Sequence, residues 1–434
     1  MSLAMAGLLG VLALLLLLFV LRLPVGFAMA VAGLAGFWHI LDARAAMGMI
    51  GSEVWTVFSS YGLTVIPLFI LMGQICFHSG VNQRLYRTAY AWLGPIRGGV
   101  AMATVLACAG FAAICGSNTA TAATMSAVAL PEMKKYRYHP ALSTGAVAAG
   151  STLGVLIPPS VVLIIIGLQT GQSIAKLFWG GLGPGVMLTL LFLGAIWFIC
   201  RRNQGWGPRG PKTSLADKVR SLSGSLEMLL LFALVMGGLF LGLFTPTEAG
   251  AAGAGLALVL SAATRRLSLQ GLKLAVMDTL RVSCMIMTII LGAVIFGRFL
   301  ALTRLPFEVA QWAAGLNVPD AVIILVVCGV YVLGGAIMDA LALLLITIPI
   351  FFPLAESMGL DPIWFAALIT VVTTMGAITP PVGVNTFIVA SMAQDVALPQ
   401  VFRGVTLFLA CFVVCIAAMM VFPEIATFLP GLLK

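Results

Sequence analysis

Between Gly116 and Ala127 the chain reads GSNTATAATMSA, a run of small hydroxyl and amide side chains set between the apolar stretch from Gly99 to Ile114 and the basic segment PEMKKYRYHP. Hydroxyl, amide and carbonyl oxygens at this density can replace the hydration shell of Na⁺. An apolar run that enters from one side and is followed at once by a basic segment returns to the side it came from. That predicts a re-entrant hairpin with Ser117, Asn118, Thr119 and Thr121 at or near its tip. Small polar residues also hold transmembrane helices together, so on these residues alone both ion binding and helix packing stay open.

Downstream, GSTLGVLIPPSVV (residues 150–162) interrupts an apolar segment that must otherwise span from Ala141 to Leu168. Pro158 and Pro159 have no amide hydrogen, so carbonyls one turn earlier lose their helical partners. At membrane depth such carbonyls persist only when protein, water or an ion satisfies them, which places a candidate cation site at Gly154 to Pro158. A proline kink needed only for packing is the competing reading. The second half of the chain carries a similar break, MGAITPPVGVNTF (residues 375–387), after the segment GGAIMDALALLLITIPIFFP. Asp339 is the only acid between Asp320 and Glu356. A lone carboxylate at that depth costs at least a few kcal/mol without a partner, as a rough scale. It is read as cation-linked, with a proton-sensing role or a hydrogen bond that closes the hairpin tip as alternatives.

Other charged residues carry less. Glu248 stands near a helix start and reads as a cap; Glu132 beside Lys134 and Lys135 reads as a solvated hairpin edge. Arg281 and Arg298 flank the apolar core of one helix, where they can snorkel or attract an anion. His39, His78 and His139 are scattered and form no metal-ligand pattern.

The elements that hold these motifs follow from composition. Of 434 residues, 61% are hydrophobic and 9% are charged, against about 25% charged in soluble domains. The solvent is therefore lipid. Apolar runs near the spanning length recur throughout, among them Leu3 to Leu21, Gly183 to Cys200, Leu226 to Phe244 and Val405 to Phe422. The first lacks a basic start and a small-residue cleavage site and reads as a retained helix rather than a signal peptide. The net charge of +9 comes from short basic clusters between apolar segments, so it reads as a topology signal and not as a nucleic-acid surface. With the N-terminus outside, Arg22, Arg84, Arg87, Arg97, Lys134, Lys135, Arg137, the run from Arg201 to Arg220, Arg265, Arg266 and Arg403 fall in the cytoplasm. Only Arg44, Lys176, Arg304 and Lys434 stay outside, which predicts two periplasmic termini. The eight cysteines lie in or at the ends of apolar segments without a CxxC pair and read as packing residues.

The chain also repeats itself. A shift of 222 positions lays Pro24 on Pro246, Gly33 on Gly255, Pro131 on Pro353, Pro140 on Pro362, Gly154 on Gly376, and Pro158–Pro159 on Pro380–Pro381. Pro24 follows cytoplasmic charge, whereas Pro246 comes one span after it, so the two halves are predicted to be inverted. Inverted halves with broken helices are characteristic of secondary transporters, with sites near the midplane. The expected organisation is a first repeat over 1–200, with an amphipathic arm at 79–97, a hairpin near 98–133 and a broken helix near 141–168. A cytoplasmic linker covers 201–222. A second repeat over 223–434 has its arm near 304–319, hairpin near 320–353 and broken helix near 362–394. The fold class is an all-α polytopic membrane protein of about ten to twelve transmembrane helices with two re-entrant hairpins.

GSNTATAATM followed by LPEMKKYRYHPALSTGAVAAGSTLGVLIPPS, and later MDALALLLITIPIFFPLAESMGLDPIWFA with TMGAITPPVGVNTFI, closely resemble the large membrane subunit of the tripartite ATP-independent periplasmic (TRAP) transporters. The resemblance runs along essentially the whole chain. It implies an elevator-type architecture and Na⁺-coupled uptake of an organic acid across a bacterial inner membrane. It further implies a soluble periplasmic binding protein that delivers the cargo and a small membrane subunit bound to the scaffold. Because the repeat begins by Pro24, that subunit is expected as a separate chain. The family pattern implies one Na⁺ site from Ser117, Asn118, Gly154, Ile157 and Pro159, and a second from Gly335, Asp339, Gly376 and Thr379. Substrate is then expected between the tips, near Asn118, Thr119, Thr121, Pro158, Pro380 and Asn385, held by backbone amides and hydroxyls. An intramembrane enzyme is disfavoured, since the chain offers no HExxH, no paired membrane aspartates and no nucleophile with a nearby base. A passive channel and a stand-alone dicarboxylate symporter are the competing transport readings.

Overall fold

The computed structural model describes every residue except Met1, Lys212, Leu316, Asn317 and Lys434. The expectations for Lys434, for Lys212 in the linker and for the middle of the second arm therefore lie outside the described residues. Among those described, regular structure is α-helical apart from one 3-10 turn. A chain whose surroundings offer no hydrogen bonds must satisfy its backbone internally, and helices do so within one segment.

The first half runs through α1 (Leu3–Phe19), α2 (Val25–Ile40), α3 (Ala43–Phe58), α4 (Val65–His78) and the short α5 (Val81–Leu93). A helical hairpin of α6 (Gly99–Cys115) and α7 (Asn118–Lys135) follows. Next come α8 (Pro140–Ser151), α9 (Leu153–Leu156) and, past the double proline, α10 (Val161–Thr170), before α11 (Ile174–Arg202). The second half has α12 (Leu215–Phe240), α13 (Pro246–Ala263), α14 (Leu269–Thr303), α15 (Leu305–Ala314), and the hairpin of α16 (Asp320–Ile337) and α17 (Ala340–Ser357). It ends with α18 (Pro362–Gly376), α19 (Val384–Met392), α20 (Leu398–Val421) and α21 (Glu424–Gly431). Sequence signals set these starts. Pro140, Pro246 and Pro362 stand in the first turn, where a missing amide costs nothing. Thr245 and Glu248 form a reciprocal capping box, which accounts for Glu248 as a cap.

Helix boundaries recur at the 222-residue offset: α6 and α16 end at Cys115 and Ile337, and α7 and α17 cover Asn118–Lys135 and Ala340–Ser357. The breaks at Pro158–Pro159 and Pro380–Pro381 coincide as well, each with a cis bond. The pattern is not kept everywhere: α8 and α9 are separate where α18 is continuous, and α14 departs most clearly. Where α14 is continuous for 35 residues, the first half is interrupted between α3 and α4. There Ser59, Ser60, Tyr61 and Gly62 stand opposite Arg281, Val282, Ser283 and Cys284, and serine and glycine are poor residues for continuing a helix.

Among the described residues, eight segments are long and apolar enough to cross a membrane, and four shorter apolar helices accompany them: Leu3–Phe19, Val25–Ile40, Gly99–Cys115 and Pro362–Gly376. The chain is thus a polytopic membrane protein. Pro140–Thr170 stands apart, with 94% of its most apolar window buried against other helices. A segment with a broken backbone needs that protein shield.

The tightest helix packing joins the two halves. A Cβ on Gly26 of α2 would sit 2.6 Å from the Thr288 carbonyl of α14, and one on Gly145 of α8 would sit 2.5 Å from the Gly404 carbonyl of α20. Lipid gives no hydrophobic drive between helices, so close backbone approach at small residues supplies the attraction. The halves therefore share one core. The connection after α11 is also pinned: Trp206 stacks on His139 at 4.0 Å, Tyr138 donates to the Pro208 carbonyl, and Thr213 donates to the Ala91 carbonyl.

Candidate functional site

Gly116 ends α6 with φ of 61°, a left-handed conformation that favours glycine. A Cβ there would also come within 2.9 Å of the Pro159 carbonyl. The chain then turns into α7, which Ser117 caps by accepting from the Ala120 amide. Asn118 is buried, its Oδ1 accepting from the Thr119 amide at 2.8 Å, and the Thr121 hydroxyl donates back to the Ser117 carbonyl at 2.6 Å. Gly154 completes the contact, since a Cβ on it would meet the Ser117 carbonyl at 2.5 Å and Thr121 Oγ1 at 2.9 Å. Ser117, Asn118, Thr121, Gly154 and Pro159 thus form one cluster where the first hairpin tip meets the first break, while the Ile157 side chain packs toward Gly185 of α11. Within it the Gly154 and Val155 carbonyls lack helical partners, because the amide donors four residues on would be Pro158 and Pro159, which have no N–H. Among the described residues no loop amide or side chain donates to either.

The second cluster is built alike but closed differently. Gly335 and Gly376 touch backbone to backbone, and Thr379 Oγ1 donates to the Met375 carbonyl at 2.7 Å. Here the freed carbonyls find donors: Thr379 N donates to Gly376 O, Asn385 N to Ala377 O, and Thr386 Oγ1 to Ile378 O. Gly383 N reaches the Ala336 carbonyl at 2.7 Å and ties the break to the hairpin. Asp339 caps α17, its Oδ2 accepting from the Leu341 amide at 3.0 Å. The two breaks also differ in exposure: Pro158 and Pro159 are buried, whereas Pro380 and Pro381 are exposed.

Between the two tips lies a cavity of about 480 Å³. Ser117, Asn118 and Thr119 wall it on one side and Asp339, Ala340 and Leu341 on the other. Val155, Val161 and Val162 close the end next to the first break, and α4 and α14 supply the remaining wall through Gly73, Gln74, Phe77, Asp278, Val282 and Ile286. Of the expected substrate contacts, Asn118 and Thr119 line this cavity. Thr121, Pro158, Pro380 and Asn385 do not. Asn385 instead donates from Nδ2 to Ser151 Oγ at 2.9 Å, joining α19 to α8, while its Oδ1 is buried without a partner.

Two wall residues escaped the sequence reading. Asp278 lines the cavity and pairs with His78 Nε2 at 3.1 Å, and Gln74 lies one turn before His78. Asp278 sits between Lys273 and Arg281 at the polar start of α14, so in sequence it resembles interfacial charge. Its isolation between two bases is the only hint it gives. Arg298 is accounted for by an ion pair with the buried Glu53 at 2.7 Å. Among the described residues, the charged ones that line the cavity are Asp278 and Asp339, with neither lysine nor arginine beside them.

The family model for the tripartite ATP-independent periplasmic transporter, DctM component, matches residues 12–425. The C4-dicarboxylate TRAP transporter large permease protein DctM of Pseudomonas aeruginosa is 34% identical over 401 residues, covering 92% of this chain and 93% of that protein. The sialic acid TRAP transporter large permease protein SiaM of Vibrio cholerae is 29% identical, covering 94% and 95%. Among solved structures, the Alcanivorax borkumensis YdaH transporter superposes with a TM-score of 0.62 at 15% identity, over 89% of this chain and 91% of its own. That likeness shows the fold alone.

Proposed function

The chain belongs to the family of the DctM component of TRAP transporters, and from that premise we propose that it carries a small organic acid into the cell across a bacterial inner membrane, driven by Na⁺. As a member of that family it is a transport permease and not an enzyme. The cargo class follows the relatives: a C4-dicarboxylate, sialic acid or a related carboxylate. A soluble periplasmic binding protein hands it over, and a small membrane subunit sits on the scaffold.

One observation carries the reading. Both hairpin tips face a single cavity whose charged lining groups are carboxylates. An anion entering that space meets like charge in a low-dielectric setting, which disfavours binding unless cations arrive with it. The donorless Gly154 and Val155 carbonyls beside Ser117 and Asn118 suit one Na⁺, and Asp339 with Gly335, Gly376 and Thr379 suits another. Ion coupling then becomes a condition of cargo binding. The coincident helix boundaries support two inverted repeats, each giving a hairpin and a broken helix to a moving body. That body slides in elevator fashion against a scaffold that includes α4 and α14.

The test is uptake of radiolabelled C4-dicarboxylates and sialic acid into proteoliposomes holding this chain and its small partner, with and without candidate binding proteins and a Na⁺ gradient. Uptake that needs both is the expected result. Uptake without any binding protein would assign a stand-alone symporter, and uptake indifferent to the Na⁺ gradient would remove the coupling.

A further inference from the structure

The two carboxyl groups of the cavity between the tips are not equally engaged. Asp339 caps α17 and belongs to the second cluster, whereas Asp278 stands on the α14 wall with its side chain 37% exposed. Its Oδ2 is 3.1 Å from His78 Nε2, and among the described residues its Oδ1 has no hydrogen-bond partner. A neutral imidazole can donate that bond, which leaves the carboxylate its charge. Lys273 and Arg281, the basic neighbours of Asp278 along α14, do not line the cavity, and neither pairs with it among the described residues. Phe77, beside His78 on α4, adds an aromatic ring to the lining, and aromatic faces attract cations.

Counting charge discriminates between cargoes. Two Na⁺ at the sites proposed above bring two positive charges to the loaded cavity, and Asp339 and Asp278 bring two negative ones. That space is neutral before cargo enters. A dianion would leave two negative charges uncompensated in a desolvated site and a simple monocarboxylate one, which is costly. A carboxylate that carries its own cationic nitrogen leaves none. The lining also offers each end a place. The start of α7, with Ser117, Asn118 and Thr119, favours a carboxylate through its dipole and its donors, and Asp278 favours a cation. We propose that the site prefers a zwitterionic carboxylate, such as an amino acid or a betaine, to a dianion of the same length, with the cargo's carboxylate at the α7 tip and its cationic nitrogen against Asp278. This inference rests on the Na⁺-coupled transport of organic acids proposed above and narrows its cargo.

The full-length chain in detergent would be titrated with γ-aminobutyrate, proline and glycine betaine and, as anions, with succinate and N-acetylneuraminate. Each titration is run in NaCl and in KCl, with binding read by calorimetry and thermal stability. In NaCl at least one zwitterion should bind about tenfold more tightly than succinate. Asp278→Asn should erase most of that preference, weakening the zwitterion and strengthening succinate, and Asp278→Glu, which keeps the charge, should restore it. Asp42→Asn, at a cap outside the cavity where asparagine serves as well as aspartate, should leave both affinities unchanged. Na⁺-dependent binding of an anion ahead of every zwitterion overturns the proposal and leaves the transport reading standing. A preference that survives Asp278→Asn overturns the role given to Asp278. If no compound binds in a Na⁺-dependent way, the transport reading itself fails and the proposal falls with it. The wild-type ranking decides the matter even where a variant fails to fold.

Discussion

Ser117 and Asp339, 222 positions apart, do the same local work: each caps the returning helix of its hairpin, and both face the same cavity. The two caps differ in charge. The hydroxyl caps as a neutral group, whereas the other half sets an ionisable carboxyl group in the same place.

This separates capping from charge at Asp339. Asparagine caps a helix about as well as aspartate, so Asp339→Asn should keep the melting temperature within a few degrees of wild type. Asp339→Ala should lose about 1 kcal/mol. On the proposed mechanism both variants should lower uptake at least about tenfold. Thermal melts in detergent beside proteoliposome uptake decide it: an Asp339→Asn protein with wild-type Na⁺ dependence would show that the carboxylate serves only as a cap.

Gly154 tests the contact between tip and break. A methyl group there would collide with the Ser117 carbonyl, and overpacking of this kind costs about 1–3 kcal/mol. Gly154→Ala should therefore melt lower and lose Na⁺-dependent stabilisation. Gly194 of α11 has nothing within 4 Å of a would-be Cβ, and Gly194→Ala should be neutral or up to about 1 kcal/mol stabilising through helix propensity. Equal melting temperatures for the two variants would contradict the packing described for Gly154.

Asp278 should oppose an anionic cargo. Replacing it by asparagine removes one negative charge from the cavity wall while leaving an amide oxygen to which His78 Nε2 can still donate. KM for a dianion should fall several-fold at unchanged protein stability, since at an effective dielectric near 20 a unit charge several ångströms away is worth about 1–2 kcal/mol. A rise in KM would mean that Asp278 holds a cation or the cargo itself.

Asn385 joins the two broken helices through Ser151. Asn385→Ala should destabilise the protein by about 1–2 kcal/mol through loss of a buried hydrogen bond. Ser151→Ala tests the same bond from the other side and should cost at least as much, because it strands the buried Asn385 Nδ2, whereas in Asn385→Ala the Ser151 hydroxyl keeps its bond to the Ala148 carbonyl. If Asn385→Ala abolishes cargo binding at wild-type stability, the unpartnered Oδ1 is a cargo contact and the structural role is secondary.

Orientation is open to a direct test. Alkaline phosphatase fused after the C-terminus should be active, and green fluorescent protein inserted at Gly205 should fluoresce. The opposite pair of results would invert the topology inferred from the basic clusters.

The sequence by itself determined the helices, the tips and the breaks. Caps such as Ser117 and Thr245, the first-turn prolines and the double prolines act within a few residues of where they stand, so their effects can be read locally. The 222-residue repeat was legible for the same reason: each half writes its local signals in the same order. What only the tertiary structure decided is which distant groups share a space. Asp278 and Gln74 reach the cavity because α4 and α14 pack beside the hairpins, and no local pattern records that. Asn385 faces Ser151 rather than the cavity because α19 lies across α8. The two breaks, nearly equivalent in sequence, end up buried in one half and exposed in the other. A repeat specifies two similar units, but their surroundings depend on how both pack against one shared core.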